Sequence, residues 1–300
     1  MLKRPEPPNM FVAHTQEAYL LTRIGAIEIW RILESVEAYM DPLEFFPDLG
    51  EDGLSLMQHV VPRQLCPDTG LILLPIQGFL VKTPQHTILV DACVGNDKTC
   101  SFYENWHQRS DGRFMAGLTA AGVTPADIDF VLCTHLHVDH VGWNTRLENG
   151  RWVPTFPNAR YIMPAADNAY FSVDPGVVYT ESVLPVIAAG QADFVSSDHM
   201  LGDYVSLIST PGHSPGHVSV RIADAGHEAV ITGDMMHSAI QCYKPELSFA
   251  RDYDGAQAGR TRRSFLASAS SAGHLVIGSH FPLPSLGTIQ EHDTAFKWVE

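Results

Sequence analysis

Long apolar runs are missing from this sequence. No stretch of about 18 uninterrupted apolar residues occurs, which is the length that a membrane-spanning helix needs. The first eight residues, MLKRPEPP, also lack the apolar core of a secretory signal. Unless a leader has been removed, these two absences predict a soluble, cytoplasmic protein that does not associate with membranes.

Cysteine and positive charge are also scarce. Only five cysteines occur, they are widely spaced, and no C-x-x-C pair is present. An odd number without paired spacing argues against a disulfide framework and against an all-cysteine zinc site. Nineteen Lys and Arg face 34 Asp and Glu, so the net charge is −15 with histidine neutral. Because such a chain repels phosphate backbones, nucleic acid is a poor candidate ligand, and a small-molecule substrate is expected.

Apolar residues make up 45% of the 300 positions, which is enough to bury a large core. Short apolar strands alternate with helices in both halves of the chain, and no low-complexity linker separates the halves. We therefore predict an α/β fold with one domain over residues 1–300, in which residues 1–70 form an N-terminal extension and the first strands. Within that segment, we expect residues 1–19 to form an irregular arm. We expect residues 36–70 to form a helix and loops that lie over the functional site. The strands are predicted at residues 24–34, 71–82, 87–91, 128–133, 160–163, 205–208, 217–222, 229–231 and 275–277, and the helices at residues 114–122, 165–171, 181–189 and 256–272.

The strongest chemical signal is a histidine-rich loop at residues 134–142, with the sequence THLHVDHVG. A buried strand leads directly into this loop, and residues at the carboxyl end of a strand commonly form the site of an α/β protein. His135 and His137 can point to one metal ion, while Asp139 and His140 turn toward a second. Imidazole and carboxylate ligands suit zinc, and also iron, manganese or cobalt.

Three later strand ends carry further candidate ligands. His213 lies in a turn rich in glycine and proline, Asp234 follows a strand that ends in Thr-Gly, and His280 follows another. An Asp at such a position suits bridging of two cations. His217 is expected to be a core residue or to lie behind the ligands at the start of a strand. His237 faces the pocket, supports a ligand, or is an ordinary loop histidine, and the sequence leaves these alternatives open.

Together these four elements resemble the metallo-β-lactamase superfamily, over roughly residues 70–285. The resemblance implies a four-layer αβ/βα sandwich with a dinuclear metal site at the edge of its two sheets. It also implies two divalent ions, with zinc expected. The implied ligands are His135, His137 and His213 for one ion, Asp139, His140 and His280 for the other, and Asp234 between the two.

Departures from subfamily patterns narrow the implied activity. Asp234 stands where two subclasses of β-lactamase use a cysteine ligand, and His137 stands where the diiron flavoproteins carry Glu. Val138 replaces a glycine typical of the processing nucleases. The motifs that remain, including residues 210–217 and 278–282, are most similar to the group of N-acyl homoserine lactonases and methyl parathion hydrolase.

The implied function is a metal-dependent hydrolase that attacks a small lactone or ester through a metal-bridging hydroxide. Asp139 is expected to act both as a ligand and as a catalytic proton carrier. Organophosphate triesters, thioesters and β-lactams remain as alternative substrates, and a non-catalytic metal-binding scaffold remains as an alternative class. A homodimer is the expected assembly.

Two further groups of residues are considered as parts of the site. Arg260, Arg262 and Arg263 lie in a predicted helix and are interpreted as a solvated face that forms ion pairs. Several aromatic residues are candidates for an apolar cleft, although each alone is more typical of core packing. These aromatic residues are Trp106, Trp143, Phe171, Tyr179, Tyr243 and Phe281.

Overall fold

Two seven-stranded β-sheets form the centre of the computed structural model, which describes residues 15–300. The first sheet has the order β1-β2-β3-β4-β5-β8-β9 and the second has the order β10 to β16, while β6 and β7 form a separate hairpin. In chain order the strands are β1 (Ala18–Ile24), β2 (Ile27–Ala38), β3 (Leu73–Lys82), β4 (Thr87–Val90), β5 (Phe130–Leu132), β6 (Thr145–Glu148), β7 (Arg151–Pro154), β8 (Arg160–Pro164), β9 (Ala192–Val195), β10 (Met200–Leu201), β11 (Val205–Ser209), β12 (Val218–Asp224), β13 (His227–Ile231), β14 (Leu275–Ile277), β15 (Leu286–His292) and β16 (Ala295–Val299).

Helices cover the outer faces of both sheets. The longest, α9, packs on β15 and β16, and α3 packs on β1 and β2. The helices are α1 (Pro42–Phe45), α2 (Gly50–Val60), α3 (Arg113–Ala120), α4 (Val138–Val141), α5 (Ala165–Phe171), α6 (Val177–Ser182), α7 (Leu184–Ala188), α8 (Ile240–Tyr243) and α9 (Gly255–Ala272). Within residues 15–300, no helix is both long and apolar enough to cross a bilayer.

The alternation of side chains along the strands explains the layered architecture. In β4, Ile88 and Val90 belong to the core between the two sheets, whereas Leu89 belongs to the core beneath the helices. In β5, Leu132 and Val131 divide in the same way. Because both faces of these strands are buried, their sequences are continuous apolar runs. The four-layer sandwich implied by the sequence is confirmed.

Parallel pairing determines where the strand ends meet. β4, β5, β8 and β9 are parallel neighbours in the first sheet, and β13 pairs with β14 in parallel in the second. The remaining pairs are antiparallel. The carboxyl ends of parallel neighbours lie at one edge of a sheet, so the loops that follow β5, β13 and β14 are brought to common edges.

The longest helix begins and ends as its sequence predicts. The side chain of Asp254 caps the helix by accepting a hydrogen bond from the backbone N–H of Gln257 at 2.8 Å. The helix stops at Gly273, whose φ of 67° places it in the left-handed region that favours glycine. Predicted helices at residues 165–171 and 256–272 are confirmed to within one residue.

Several boundaries differ from the prediction. The strand predicted at residues 24–34 corresponds to β2, which begins later, at Ile27, after a turn at Gly25 with φ 56° that connects it to β1. β1 therefore begins inside the predicted arm, whose first 14 residues lie outside the described part of the chain. The helix predicted at residues 181–189 is two short helices, α6 and α7. The short strands β6, β7, β9, β10, β15 and β16 were not predicted.

The predicted exposure of Arg262 is wrong. Its side chain is fully buried beneath α9 and donates hydrogen bonds to the carbonyl oxygens of Met235, Pro245 and Leu247. Burial lowers the pKa of this guanidinium to about 10. Arg263 does form the expected surface ion pair, with Glu246. Helical spacing alone did not distinguish the one buried arginine from its exposed neighbours.

We predict that Gly142→Ala destabilises the protein by about 3 kcal/mol, because the backbone of residues 93–95 leaves no space for a methyl group. A Cβ at Gly142 would lie 1.7 Å from the carbonyl oxygen of Val94, and the N–H of Gly142 donates to Cys93 O at 2.7 Å. Urea unfolding measures the change. Gly112→Ala is the matched control, because Gly112 has φ −106° and open space around it. Equal stability of the two variants would contradict this account.

Candidate metal centre

The histidine-rich loop follows β5 at the sheet edge. His135 lies in the loop and is fully buried, and His137 immediately precedes α4. The single turn of α4 then carries Asp139 and His140. A tight loop followed by one helical turn thus turns four potential ligands toward the same buried space.

The other three predicted ligands reach this space from the second sheet. His213 lies in the turn between β11 and β12, Asp234 follows β13, and His280 follows β14. The parallel pairing of β13 and β14 places Asp234 and His280 at one edge. Gly233 has φ 55°, and a Cβ there would lie 2.6 Å from His217 Nε2, so glycine permits the turn that presents Asp234.

The seven side chains divide into two ligand sets. We call His135, His137 and His213 the first ligand set, and Asp139, His140, Asp234 and His280 the second. Within each set, one potential ligand atom from every residue lies within 4.8 Å of all the others. In the first set, His137 Nδ1 lies 3.0 Å from His135 Nε2 and 2.8 Å from His213 Nε2.

Asp234 lies between the two sets. Its Oδ1 is 3.1 Å from the Nε2 atoms of both His140 and His280. Its Oδ2 is 3.4 Å from His213 Nε2 and 3.8 Å from His135 Nε2. Each oxygen of this buried carboxylate therefore faces a different ligand set, which is the arrangement that a bridging ligand requires.

In three of the imidazoles, the nitrogen that faces away from the centre has its own partner. His140 Nδ1 lies 2.8 Å from Asp91 Oδ2, and His213 Nδ1 lies 3.0 Å from Asp252 Oδ1. His280 Nδ1 donates to the carbonyl oxygen of Pro75 at 2.8 Å. These contacts orient the rings and leave Nε2 facing the centre, as is usual for histidines that bind metals.

The pKa values of the first ligand set suit metal binding. Burial lowers the pKa of His135 and of His213 well below the usual value, and lowers that of His137 to about 3. These imidazoles are therefore neutral at pH 7, and their inward nitrogens carry lone pairs. Where the lone pairs of these nitrogens face one another they repel, and a cation bound between them would remove that repulsion.

The second ligand set has an excess of negative charge. Burial by itself lowers the pKa of His140 and His280, but the carboxylate of Asp234, with Asp91 or Asp139 nearby, outweighs it and the pKa of each is raised. A positive charge is therefore favoured at their Nε2 atoms, and a metal ion held there would supply it in place of the proton. Among the described residues, neither His140 Nε2 nor Asp234 Oδ1 has a hydrogen-bond partner, although both are buried. The donor types and the unsatisfied atoms fit two divalent cations.

The structure also places the two histidines of less certain role. His217 is buried behind the centre, where its Nε2 accepts a hydrogen bond from the backbone N–H of Asp234 at 2.9 Å. It precedes β12 by one residue and supports the Asp234 turn. His237 lines the pocket, and its Nε2 lies 3.1 Å from Asp234 Oδ2. His237 therefore faces the candidate centre, an alternative that the sequence left open.

A cavity of about 810 Å³ lies above the two ligand sets. Its walls are mainly apolar and aromatic, and His137, Asp139, His213, Asp234 and His280 are exposed to it. Of the predicted cleft residues, Trp106, Phe171 and Tyr179 line it. Tyr39 and Phe45 also line it, so the first part of the segment 36–70, which the sequence predicts to lie over the site, contributes to the pocket wall.

The other three predicted cleft residues lie elsewhere. Trp143 stacks on Phe114 and donates a hydrogen bond to the buried carboxylate of Glu34 at 2.7 Å. Phe281 packs against Trp298, and Tyr243 packs against His292. These rings belong to the core and surface packing rather than to the pocket wall.

Two acidic residues that support the ligands were missed by the sequence analysis. Asp91 ends β4 beside β5 and also accepts hydrogen bonds from the N–H and hydroxyl of Thr134. A carboxylate at the end of a buried strand next to the histidine loop was a usable signal. Asp252 follows Phe249 in an irregular segment, where no pattern distinguishes it from other acidic residues.

The chain belongs to the metallo-β-lactamase superfamily, because the sequence model of that family matches residues 72–280. All seven predicted ligands lie within this match. The two facing sheets, with the candidate centre at their shared edge, are the fold of this family.

Curated relatives include an N-acyl homoserine lactonase of Bacillus cereus, 27% identical over 51% of this chain and 60% of that protein. The N-acyl homoserine lactonase AiiA of Bacillus thuringiensis subsp. kurstaki is 24% identical over 66% of this chain and 78% of its own. The chain thus spans about three fifths of the length of the Bacillus cereus relative.

Solved structures share the fold over almost the whole chain. The hydrolase AbOPH of the β-lactamase superfamily superposes with a TM-score of 0.80 at 24% identity, covering 95% of this chain and 97% of its own. AidC, a dizinc quorum-quenching lactonase, superposes with a TM-score of 0.78 at 20% identity, covering 95% and 98%. At this level of identity the likeness establishes the fold.

We expect that the chelated protein takes up two Zn²⁺ ions per chain, and that Asp91→Asn weakens this uptake about 10- to 100-fold. The substitution removes the negative charge that orients His140 and replaces one acceptor oxygen with an amide nitrogen. Competition with a chromophoric chelator measures the affinity. The exposed variant Asp198→Asn is the control and should match the wild type. Wild-type affinity in Asp91→Asn would show that the ring of His140 needs no such partner.

Proposed function

We propose that this protein is a metal-dependent hydrolase that cleaves a small, neutral lactone or carboxyl ester. The observation that supports this proposal is the pair of buried ligand sets, joined by Asp234, at the floor of an apolar pocket. The names of the curated relatives, which are N-acyl homoserine lactonases, agree with it.

In this proposal one divalent ion is held by the first ligand set and a second by the second set, with Asp234 between them. When bound, the two ions would supply an activated water and polarise the oxygen of the bond to be cleaved. The protein's own contribution is to hold the ligands rigidly and to exclude bulk water from the floor of the pocket.

Asp139 has the position that a proton carrier needs. It is one of only two of the seven residues that are partly exposed, with 12% of its side chain accessible, and it lines the pocket. Its Oδ2 lies 3.4 Å from His280 Nε2 and 3.7 Å from His140 Nε2. A carboxylate at the boundary between the centre and the pocket can take a proton from the water and donate it to the departing alkoxide.

The walls of the pocket favour an uncharged substrate with an apolar or aromatic group. Aromatic rings of Tyr39, Phe45, Trp106 and Phe249 line it, and Arg251 is the single Lys or Arg among its lining residues. A pocket that recognises a phosphate-rich ligand presents several cations. We therefore place neutral esters before charged substrates.

An organophosphate triester with an aromatic leaving group is the second candidate. The same water can attack phosphorus or a carbonyl carbon, and the aromatic walls suit an aryl group. Thioesters and β-lactams have no specific feature of the pocket in their favour. The scaffold alternative requires loss of a ligand, whereas all seven candidate ligands converge.

We predict that the protein loaded with Zn²⁺ hydrolyses neutral lactones and aryl esters, and phosphotriesters more slowly, while β-lactams are poor substrates. The reason is the match between apolar walls and neutral, apolar acyl or aryl groups. A panel of the four substrate classes at equal concentration measures the relative kcat/KM, with the chelated protein as the blank. If the loaded protein turns over none of them, the proposed activity is wrong.

We predict that Asp139→Asn lowers kcat about 100- to 10,000-fold on an ester substrate, because the amide cannot carry a proton. Zinc content measured beside the kinetics separates this effect from loss of an ion. Asp68→Asn, an exposed substitution outside the pocket, serves as the control and should leave kcat unchanged. Undiminished kcat in Asp139→Asn with two bound ions would remove Asp139 from the mechanism.

A further inference from the structure

A buried carboxylate outside both ligand sets connects the two loops that carry the first set. Asp167 lies in the first turn of α5 and is fully buried. Its Oδ2 accepts hydrogen bonds from the N–H of Leu136 at 3.2 Å and from the hydroxyl of Ser214 at 2.8 Å. Its Oδ1 accepts one from the N–H of Gly216 at 2.6 Å.

Two of the donors to Asp167 lie next to ligands of the first set in the sequence. Leu136 lies between His135 and His137, and Ser214 directly follows His213. One carboxylate therefore holds both loops of the first ligand set at a fixed separation. Because all three partners are donors, the position requires a group that only accepts hydrogen bonds. Gly216 approaches so closely that a Cβ there would lie 2.4 Å from the backbone nitrogen of Asp167.

A buried amide side chain connects two segments of the main chain beside the second ligand set. Gln64 is fully buried, and its Nε2 donates to the carbonyl oxygens of His280 at 3.1 Å and of His237 at 2.9 Å. Its Oε1 accepts from the hydroxyl of Ser238. Both amide hydrogens and the oxygen are used, so the orientation of this side chain is determined by its three partners.

Gln64 thus joins the segment after β14, which carries His280, to the segment that follows Asp234. It precedes residue 72, where the family match begins. The main chain of the second ligand set is therefore held in part by a residue of the N-terminal segment.

We propose that Asp167 and Gln64 are positioning residues, each for one metal site: Asp167 orients the first ligand set and Gln64 orients the His280 part of the second. Neither side chain touches the substrate pocket or offers an atom to an ion. They share no hydrogen-bond partner: two donors to Asp167 are next to ligands of the first set, whereas Gln64 binds the main chain of His280. This inference rests on the two-ion centre of the proposed function and on no particular substrate.

The test is the selective loss of one ion, measured without substrate. The chelated protein is titrated with Co²⁺, and the visible absorption bands report the coordination of each site. His137→Ala and His280→Ala provide reference spectra for loss of the first and of the second site. Asp167→Asn places an amide against backbone donors, and Gln64→Met replaces the amide with an unbranched apolar chain of similar length.

We expect Asp167→Asn to lose affinity for the first ion by at least tenfold while the second site keeps its bands, and Gln64→Met to show the reverse. Tyr161→Phe is the control for general damage to the core. It removes a buried hydroxyl that bonds to Asn144 O at 2.9 Å and to the N–H of Phe156 at 3.1 Å, away from both ligand sets. Its Co²⁺ binding should match the wild type.

Two results would overturn the proposal: wild-type affinity at both sites in either variant, or an equal loss at both sites. If Asp167→Asn does not fold, Ser214→Ala removes one of the three hydrogen bonds and should give a smaller loss confined to the first site. A wild-type protein that binds no Co²⁺ would refute the proposed function itself. Two bound ions with unselective variants would refute the positioning roles alone.

Discussion

The carboxylate of Asp234, buried between two groups of imidazoles, is the interaction on which the rest of this structure depends. Its two oxygens face different ligand sets at 3.1 to 3.8 Å. A buried charge is costly unless it is paired and hydrogen-bonded, so the surrounding groups must hold their positions. His217 binds the backbone N–H of Asp234, and Gly233 permits the turn that presents it. The sheets, the loops and the supporting acidic residues together hold this carboxylate at a fixed distance from the imidazoles around it.

Around the centre, acidic and amide side chains form an outer layer that fixes the rings. Asp91 contacts the outward nitrogen of His140, and Asp252 contacts the outward nitrogen of His213. The carbonyl oxygen of Pro75 contacts the outward nitrogen of His280. Asp252 in turn lies near the buried guanidinium of Arg262, whose other contacts are backbone carbonyls. At the centre itself, the buried atoms His140 Nε2 and Asp234 Oδ1 have no hydrogen-bond partner among the described residues, and bound cations would satisfy them.

The seven candidate ligands that the fold brings together could be picked out from the sequence, because each of them follows a recognisable apolar strand. Periodicity and the end of a strand are local features of the sequence. The candidate ligands in the loop after β5 and in the turns after β13 and β14 could therefore be predicted from it. Arg262, Asp167 and Gln64 were not, because their roles arise from burial against segments far away in the chain. Arg262 has the helical spacing of an exposed residue and the contacts of a core residue. The last two strands of the second sheet, β15 and β16, carry mixed polar sequences that give no clear period.

The candidate ligands and part of the pocket wall come from different parts of the chain. The candidate ligands come from strand ends within residues 72–280, the part that the family shares. Part of the pocket wall comes instead from residues before this region, including Tyr39 and Phe45. Because a metal-activated water attacks many carbonyl and phosphoryl centres, discrimination between substrates must come mainly from the walls. The N-terminal segment therefore contributes both to the pocket wall and, through the hydrogen bonds of Gln64 to the carbonyl oxygens of His237 and His280, to the contacts beneath it.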